Sequence, residues 1–483
     1  MRTNLTFNAA PAPLLTLTLA LTLLLSGCVN LAPTYQQPAA PVAGNWSQSS
    51  AGQESSQNGQ NVVAADSINW RNFFRDERLR SVIEQSLTNN RDLRVAALNI
   101  ERARAQYRIT DADRYPAVSA TGASTATRTP ASTSNTGSAV TSHTNSVSLG
   151  VSSYELDFFG RLKNLSDTAL ETYKYQVETR RSTQISLVAQ VATAWLTLAS
   201  DRELLDLARD TLASQTHTYE LGLRTHEIGT TSGVDLATLE ASVESARADV
   251  GRYTSQVAQD INALTLLVGA PVDPALLPDS LPAAAAVLLE PPSGLPSETL
   301  LRRPDVLAAE HTLIGAHADI GAARAAFFPS ITLTASGGTA SSTLGGLFKA
   351  GTGAWTFAPA INLPIFNAGS NRATLDAAMI ARDIDLATYE KTIQTAFQEV
   401  ADALAVRNTL EQRMDAQRRA TAAYEKSYRL SDARYRNGID SYLASLVTQR
   451  AMYSAQQTLI SLRLTEQGNR ITLYKVLGGG WSE

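Results

Sequence analysis

The chain carries one cysteine, Cys28, in 483 residues, so no intramolecular disulfide holds it together. Its five histidines, His143, His217, His226, His311 and His317, are scattered, and no H-E-x-x-H spacing occurs. His311 and His317 stand six apart, which does not place them on one helical face, so packed or solvated histidines are the reading rather than metal ligands. No G-x-x-x-x-G-K-[ST] loop is present, so the chain does not itself use ATP. A net charge of -4 gives no basic face for nucleic acid. Outside the N-terminus no uninterrupted apolar run approaches ~20 residues, which excludes a transmembrane helix. Aromatic residues make up only 6%, while Ala, Leu, Thr, Ser and Gln abound, as suits long helices packed through small side chains. These absences disfavour an enzyme.

What is present is a duplication. The stretch LLRRPDVLAAEHTLIGAHADIGAARAAFFPSITLTASGG, beginning at Leu300, reads as a helix running into a strand: its period changes from 3.6 to 2 at Pro329. The first half contains it too. At one constant offset Asp92 falls on Asp305, Ala103 on Ala316, Tyr115 on Phe328 and Pro116 on Pro329. At a second, slightly shorter offset Gly160 falls on Gly369, Tyr219 on Tyr428, Gly229 on Gly438 and Gly269 on Gly478. The change lies between Pro116 and Gly160, where a loop between strands tolerates it. A unit of roughly two hundred residues is present twice.

Each copy reads as a helix, a β-hairpin and a long helical hairpin. The first copy spans 67–269, with the β-hairpin at 116–159 and the helical hairpin at 162–268. The second spans 297–483, with its β-hairpin at 329–366 and its helical hairpin at 370–477. A first helix is expected over Glu77 to Arg114, and strands over Val118 to Arg128, Val147 to Phe159, Ile331 to about Ser336, and Trp355 to Ile365. A proline-rich linker, 270–296, joins the copies. In lipid, strands survive only in a closed barrel, and four strands are too few to close one. Several copies must then share it, and three supply twelve strands.

The N-terminus carries an address. An apolar run from Leu14 to Leu25 ends in Leu25-Ser26-Gly27-Cys28; it is too short to span a bilayer and reads as a cleaved secretory signal. L-S-G-C resembles the bacterial lipobox, which implies a signal peptide over 1–27 and an acylated Cys28 bearing N-acyl and S-diacylglycerol lipid. No other cofactor is expected. Val29 is not the aspartate that usually retains such lipoproteins in the inner membrane, so the resemblance implies the outer membrane of a Gram-negative bacterium. Residues 28–66, with Pro33, Pro38 and Pro41, read as an extended tether that buries little apolar surface.

The central stretch, the strand exits YELDFFGRL and INLPIFNAG, and the turn segments LRTHEIGTTSGVDLATLEASVESAR and ARYRNGIDSYLASLVTQRAMYSAQ resemble TolC-type outer-membrane efflux factors. With the lipobox they resemble most the NodT or OprM-like lipoprotein branch. The resemblance covers nearly all of the chain from Trp70. It implies a mainly α fold with a small β part: a trimeric duct in which each protomer gives four strands to a shared 12-stranded outer-membrane β-barrel and long helical hairpins to a periplasmic α-barrel, with 270–296 as its equatorial linker. The implied function is the passive outer-membrane channel of a tripartite efflux system of resistance-nodulation-division type. The implied partners are a periplasmic adaptor and an inner-membrane pump. A duct for type I protein secretion or metal-ion export is an alternative, as is a lipid-anchored periplasmic coiled-coil scaffold without a pore.

In that family the helical-hairpin turns form the periplasmic tip. The resemblance places adaptor docking at Gly229, Thr230, Thr231, Gly233, Gly438 and Ile439, and a gate at Asp235, Tyr435, Arg436 and Asp440. Plainer readings stand beside these: a tight turn needs glycine at positive φ, Asp235 sits where a helix N-cap would use it, and charged turn residues are usually solvated. Ala444 and Val447 occupy positions that are often acidic in the family, so a second acidic ring is not expected to be complete.

Overall fold

A computed structural model describes residues 29–46, 68–289 and 296–480; the expected signal peptide and Cys28 lie outside the described residues. The helices in chain order are α1 (Trp70–Phe73), α2 (Glu77–Asn89), α3 (Arg91–Ala112), α4 (Arg161–Glu227), α5 (Gly233–Val268), α6 (Ala284–Val287), α7 (Pro304–Ala325), α8 (Ser370–Arg436) and α9 (Tyr442–Val476). The strands are β1 (Val118–Thr129), β2 (Val140–Leu156), β3 (Ser330–Ser341) and β4 (Gly353–Asn362).

The duplication is visible element by element. α3 and α7 both have 22 residues, α4 and α8 both 67, and α5 and α9 have 36 and 35. At ~1.5 Å per residue each 67-residue helix runs about 100 Å. The expected first helix is in fact two. Asn90 breaks it: its backbone is extended, its Oδ1 accepts from Leu93 N–H at 2.9 Å, and its Nδ2 donates to Leu267 O at 2.8 Å. An asparagine satisfies the amides of a helix start better than it continues a helix.

The chain divides into two compact units, 1–38 with 101–175 and 310–388, and 39–100 with 176–309 and 389–483. The first unit is built on one antiparallel sheet in the order β1-β2-β3-β4, so the two hairpins join through β2 and β3. Two strands start or run beyond their expected ends: β2 begins at Val140 rather than Val147, and β3 continues to Ser341 rather than about Ser336, because ladder hydrogen bonds need backbone rather than apolar side chains. β4 stops at Asn362, short of the expected Ile365.

Register sorts the side chains. Cross-strand rows such as Val118, Val151, Ala335 and Phe357, or Ala120, Leu149, Gly337 and Trp355, share one face. The opposite face carries rows such as Ser119, Gly150, Ser336 and Thr356. Between Val151 and Tyr154 the ladder slips by one residue at Ser153, whose φ is +53° and whose N–H donates to Thr334 Oγ1 at 3.1 Å. This bulge moves Tyr154 and Leu156 onto the apolar face beside Leu333 and Ile331. Apolar Trp355, Phe357 and Ile361 are 80%, 62% and 71% exposed in the isolated chain.

Residues 29–38 belong to this unit and carry no helix or strand. Composition predicts that the N-terminal stretch buries little, and among residues 29–46 only Trp46 is buried, yet the stretch is tied to the folded chain at several points. Val29 N–H donates to Phe158 O at 3.1 Å, Arg324 Nη1 to Leu31 O at 3.1 Å, and Tyr35 Oη to Glu310 Oε1 at 2.9 Å. In the second unit Trp46 is buried, stacked on Phe397 at 5.4 Å, with its indole N–H on Phe397 O at 3.2 Å. Anchor residues spaced along a polar stretch are invisible to average composition.

The second unit concentrates the scarce aromatics. Trp70, Phe73, Phe74, Trp195 and Tyr474 are buried with Leu79, Val82, Ile83, Leu264 and Val268. Phe73 stacks on Tyr474 at 3.9 Å, and Trp195 Nε1 donates to Leu276 O at 3.0 Å. The proline-rich linker supplies Leu277, Leu281, Val287 and Leu288 to the same core. Arg303 pins the start of the second repeat: it is bidentate to Asp305 at 3.0 and 2.7 Å, and reaches Glu399 and Val476 O at 2.8 Å each. Among the described residues no helix is long and apolar enough to cross a membrane, and no three His, Cys, Asp or Glu are grouped to hold a metal.

Candidate functional site: the helical-hairpin turns

α4 turns into α5, and α8 into α9, through short segments built alike. Gly229 and Gly438 stand at φ +81° and +72°, in the left-handed region that costs any residue with a Cβ about 1–2 kcal/mol. Gly229 N–H bonds His226 O and Thr230 N–H bonds Thr225 O, both at 2.9 Å; Gly438 bonds Tyr435 O and Ile439 bonds Arg434 O at the same distance. The helix ends are thus satisfied by the same Schellman pair of bonds in both repeats. In the first turn Thr225 and Thr231 hydroxyls meet at 2.6 Å, His226 Nδ1 lies 2.7 Å from Thr231 O, and Thr230 Oγ1 donates to Thr225 O at 2.9 Å.

The next helices start differently. Ser232 caps α5, accepting from Asp235 N–H at 3.0 Å while its hydroxyl donates to Asp235 Oδ2 at 2.7 Å; Gly233 is the first helical residue. Ser441 stands at the equivalent cap of α9 and makes no side-chain cap bond; the residue in the place of Asp235 is Ala444. Only the first repeat carries an acid at this position.

The four gate candidates are not joined to one another by hydrogen bonds. Arg436 pairs with Asp432 at 2.8 Å, and Asp440 is bidentate to Arg434 at 2.6 and 3.1 Å, both within their own hairpin. The Arg434 guanidinium holds the Asp440 carboxyl below the usual carboxylate range. Tyr435 is half-buried against the cluster of Leu239, Tyr442 and Leu446, its ring 5.5 Å from that of Tyr442. Burial, then the charges of Asp235 and Asp432, push its hydroxyl up. Tyr435 and Asp235 therefore share a field across the two hairpins.

Behind these residues lies a network that sequence reasoning missed. Tyr442 Oη donates to Gln215 Oε1 at 3.0 Å, Gln215 Nε2 to Gln449 Oε1 at 2.7 Å, and Gln449 Nε2 to Ser214 Oγ at 3.3 Å. Gln215, Gln449 and Tyr442 are all buried, and burial pushes the Tyr442 hydroxyl up to about 12. A helical glutamine reads as solvated from sequence alone, and no local signal marks it otherwise. The network ties α4 to α9. Outward, Ile228, Val234, Ile439, Leu443 and Val447 are each more than half exposed, so the turns present apolar side chains on polar hydrogen-bonded frames.

Every hydroxyl, imidazole and carboxylate named in the first turn is engaged in a local hydrogen bond that closes the turn. The sequence profile described as outer membrane efflux protein matches residues 82–270 and 295–479, once over each repeat.

The chain belongs to the outer membrane efflux protein family.

It is 51% identical over 467 residues to a probable efflux pump outer membrane protein of Pseudomonas putida, TtgC, covering 97% of this chain and 96% of that one. It is 41% identical to the outer membrane protein OprJ of Pseudomonas aeruginosa, over 97% and 95% of the two chains. The open state of the Neisseria gonorrhoeae MtrE outer membrane channel superimposes with a TM-score of 0.83 at 38% identity, covering 94% of this chain and 98% of that one. Membership makes this chain the outer-membrane channel of an efflux system rather than an enzyme, with a TolC-like fold.

Proposed function

We propose that the chain works as a passive trimeric duct, receiving small molecules through a periplasmic adaptor from an inner-membrane pump of resistance-nodulation-division type. The observation that carries this reading is the sheet: four strands with one apolar face, a Ser/Thr/Gly face, and β1 and β4 left as edges. Unpaired edges cannot rest in lipid, where each lone backbone group costs several kcal/mol. Pairing β1 of one copy with β4 of the next removes every edge when three copies close a twelve-stranded ring. β3 and β4 pair over ten rows, Ser330 to Thr339, matching the roughly 9–11 residues that a tilted strand needs to cross a bilayer. A scaffold without a pore has no use for this sorting of faces.

In the same reading Cys28 bears the lipid, with N-acyl and S-diacylglycerol chains holding the N-terminus in the outer membrane. The exposed apolar side chains at the two turns are the docking points of the adaptor, and Tyr435 in the field of Asp235 is part of the gate. The test is mass determination of the detergent-extracted protein followed by planar-bilayer recording. A trimer is expected, with low conductance that rises in Asp235→Ala and Tyr435→Phe. A monomer that passes no current would overturn the duct, and unchanged conductance in both variants would remove these two residues from the gate.

A further inference from the structure

α4 and α5 fold back on each other as an antiparallel pair whose facing positions can be followed step by step. Near the turn a Cβ on Gly222 would fall 2.3 Å from Leu239 Cδ1. Farther along, Leu204, Leu205 and Ala208 pack with Val250, Tyr253 and Val257. Beyond lie Leu196, Leu198 and Leu264, inside the unit's core. Between these last two layers the same register sets Asp201 opposite Asp260. Between two apolar layers this one is acid on acid.

The pair has no cation of its own. Asp260 Oδ2 is fully buried with no hydrogen-bond partner, and its Oδ1 receives only Gln256 Nε2 at 3.4 Å. The one basic group acting on Asp201 is Arg252 of α5, which is held by Asp249 at 2.9 Å and lies over the Tyr253 ring at 4.1 Å. Flanking charges are engaged elsewhere: Arg202 donates to Pro278 O of the linker at 2.6 Å, and Glu203 pairs with Arg463 of α9 at 2.6 Å. Two ionised carboxylates in such a seam repel, whereas one proton between them supplies the donor that Asp260 Oδ2 lacks.

We propose that Asp201 and Asp260 form a carboxyl–carboxylate clasp that closes the first helical hairpin while they share one proton and loosens it when both ionise. The proton goes to solvent and the pair passes from one negative charge to two. Burial, together with the neighbouring Asp260 carboxylate, pushes Asp201 up to about 7. A raised carboxylate pKa stabilises the closed form fully below the ordinary value of about 3.9, and the stabilisation is lost as pH rises through about 7. The clasp belongs to the hairpin and stands whether or not the assembled chain conducts.

Hydrogen exchange of the full-length detergent-solubilised protein between pH 4.5 and 8.5, corrected for intrinsic rates, tests it. Opening of the segments around Asp201 and Asp260 is expected to rise toward about tenfold per pH unit up to neutrality and to level off above it. Asp201→Asn keeps a donor for Asp260 without the titration, so its profile should be flat; Asp260→Asn, the mirror variant, should be flat as well. A wild-type profile without the slope, a slope that persists in whichever asparagine variant folds, or one equally strong in peptides remote from the pair would overturn the clasp.

Discussion

Replacing Gln215 with leucine should harm the protein more than replacing Gln215 and its two partners together. The single change removes the Gln215 acceptor of the Tyr442 hydroxyl, which keeps only its contact with Ser242, and leaves Gln449 Oε1 without its donor, both on buried residues. Each orphaned group costs about 1–3 kcal/mol, so about 3 kcal/mol is expected for the pair after local relaxation. In Gln215→Leu/Gln449→Leu/Tyr442→Phe nothing is orphaned: Ser214 is only partly buried and turns to water, and the leucines extend the packing of Leu239 and Leu446. That triple variant should lie within ~1 kcal/mol of wild type. Hydrogen exchange of the amides at the start of α9 reports the difference, since about 3 kcal/mol loosens them by roughly two orders of magnitude. Bilayer conductance should follow the same order, with the single variant leakier than the triple. A single variant that changes local stability by less than ~0.5 kcal/mol, or a triple variant as unstable as the single one, would refute the view that these side chains form a satisfied buried network.

The tip glycine offers a cleaner backbone test: Gly438→Ala meets no neighbour within 4 Å, so its cost of about 1–2 kcal/mol should come from φ alone and appear as faster exchange across the turn. Trp46→Ala removes a buried ring and its bond to Phe397 O, which should cost ~3 kcal/mol and make the segment before it a substrate for limited proteolysis. The Arg434–Asp440 pair should hold the second turn above the ordinary aspartate pKa of about 3.9 and release it as pH falls below, because Asp440 is shifted downward; nuclear spin relaxation or proteolysis at Asn437 across that range would reveal no change if the pair were idle.

Much of the fold was legible because its signals are local. Repeated spacing of apolar residues specifies α4 and α8 to within a few residues, and glycines matched between the repeats mark turns that recur with the same positive φ at Gly160 and Gly369, Gly229 and Gly438, and Gly269 and Gly478. Even the bulge at Ser153 leaves a trace, since the apolar parity changes from Val151 to Tyr154. The lengths of β2 and β3 were not legible, because a strand of Ser, Thr and Asn looks like a loop until a partner strand is placed beside it. The seating of Trp46 was hidden in the same way: the pocket that receives it comes from Phe397, 351 residues along the chain.

The amino-acid order by itself determined the two-fold repeat, the helix and turn positions, the alternating strand faces and the need for other copies to close the sheet, since these follow from periodicity, backbone conformation and hydrogen-bond accounting near each residue. Only tertiary structure decided that β2 pairs with β3, that Gln215, Tyr442 and Gln449 meet, and that Asp201 faces Asp260. Such encounters depend on how distant surfaces register when helices and strands pack, and a buried polar residue announces its partner only after the fold has brought the two within a hydrogen bond of each other.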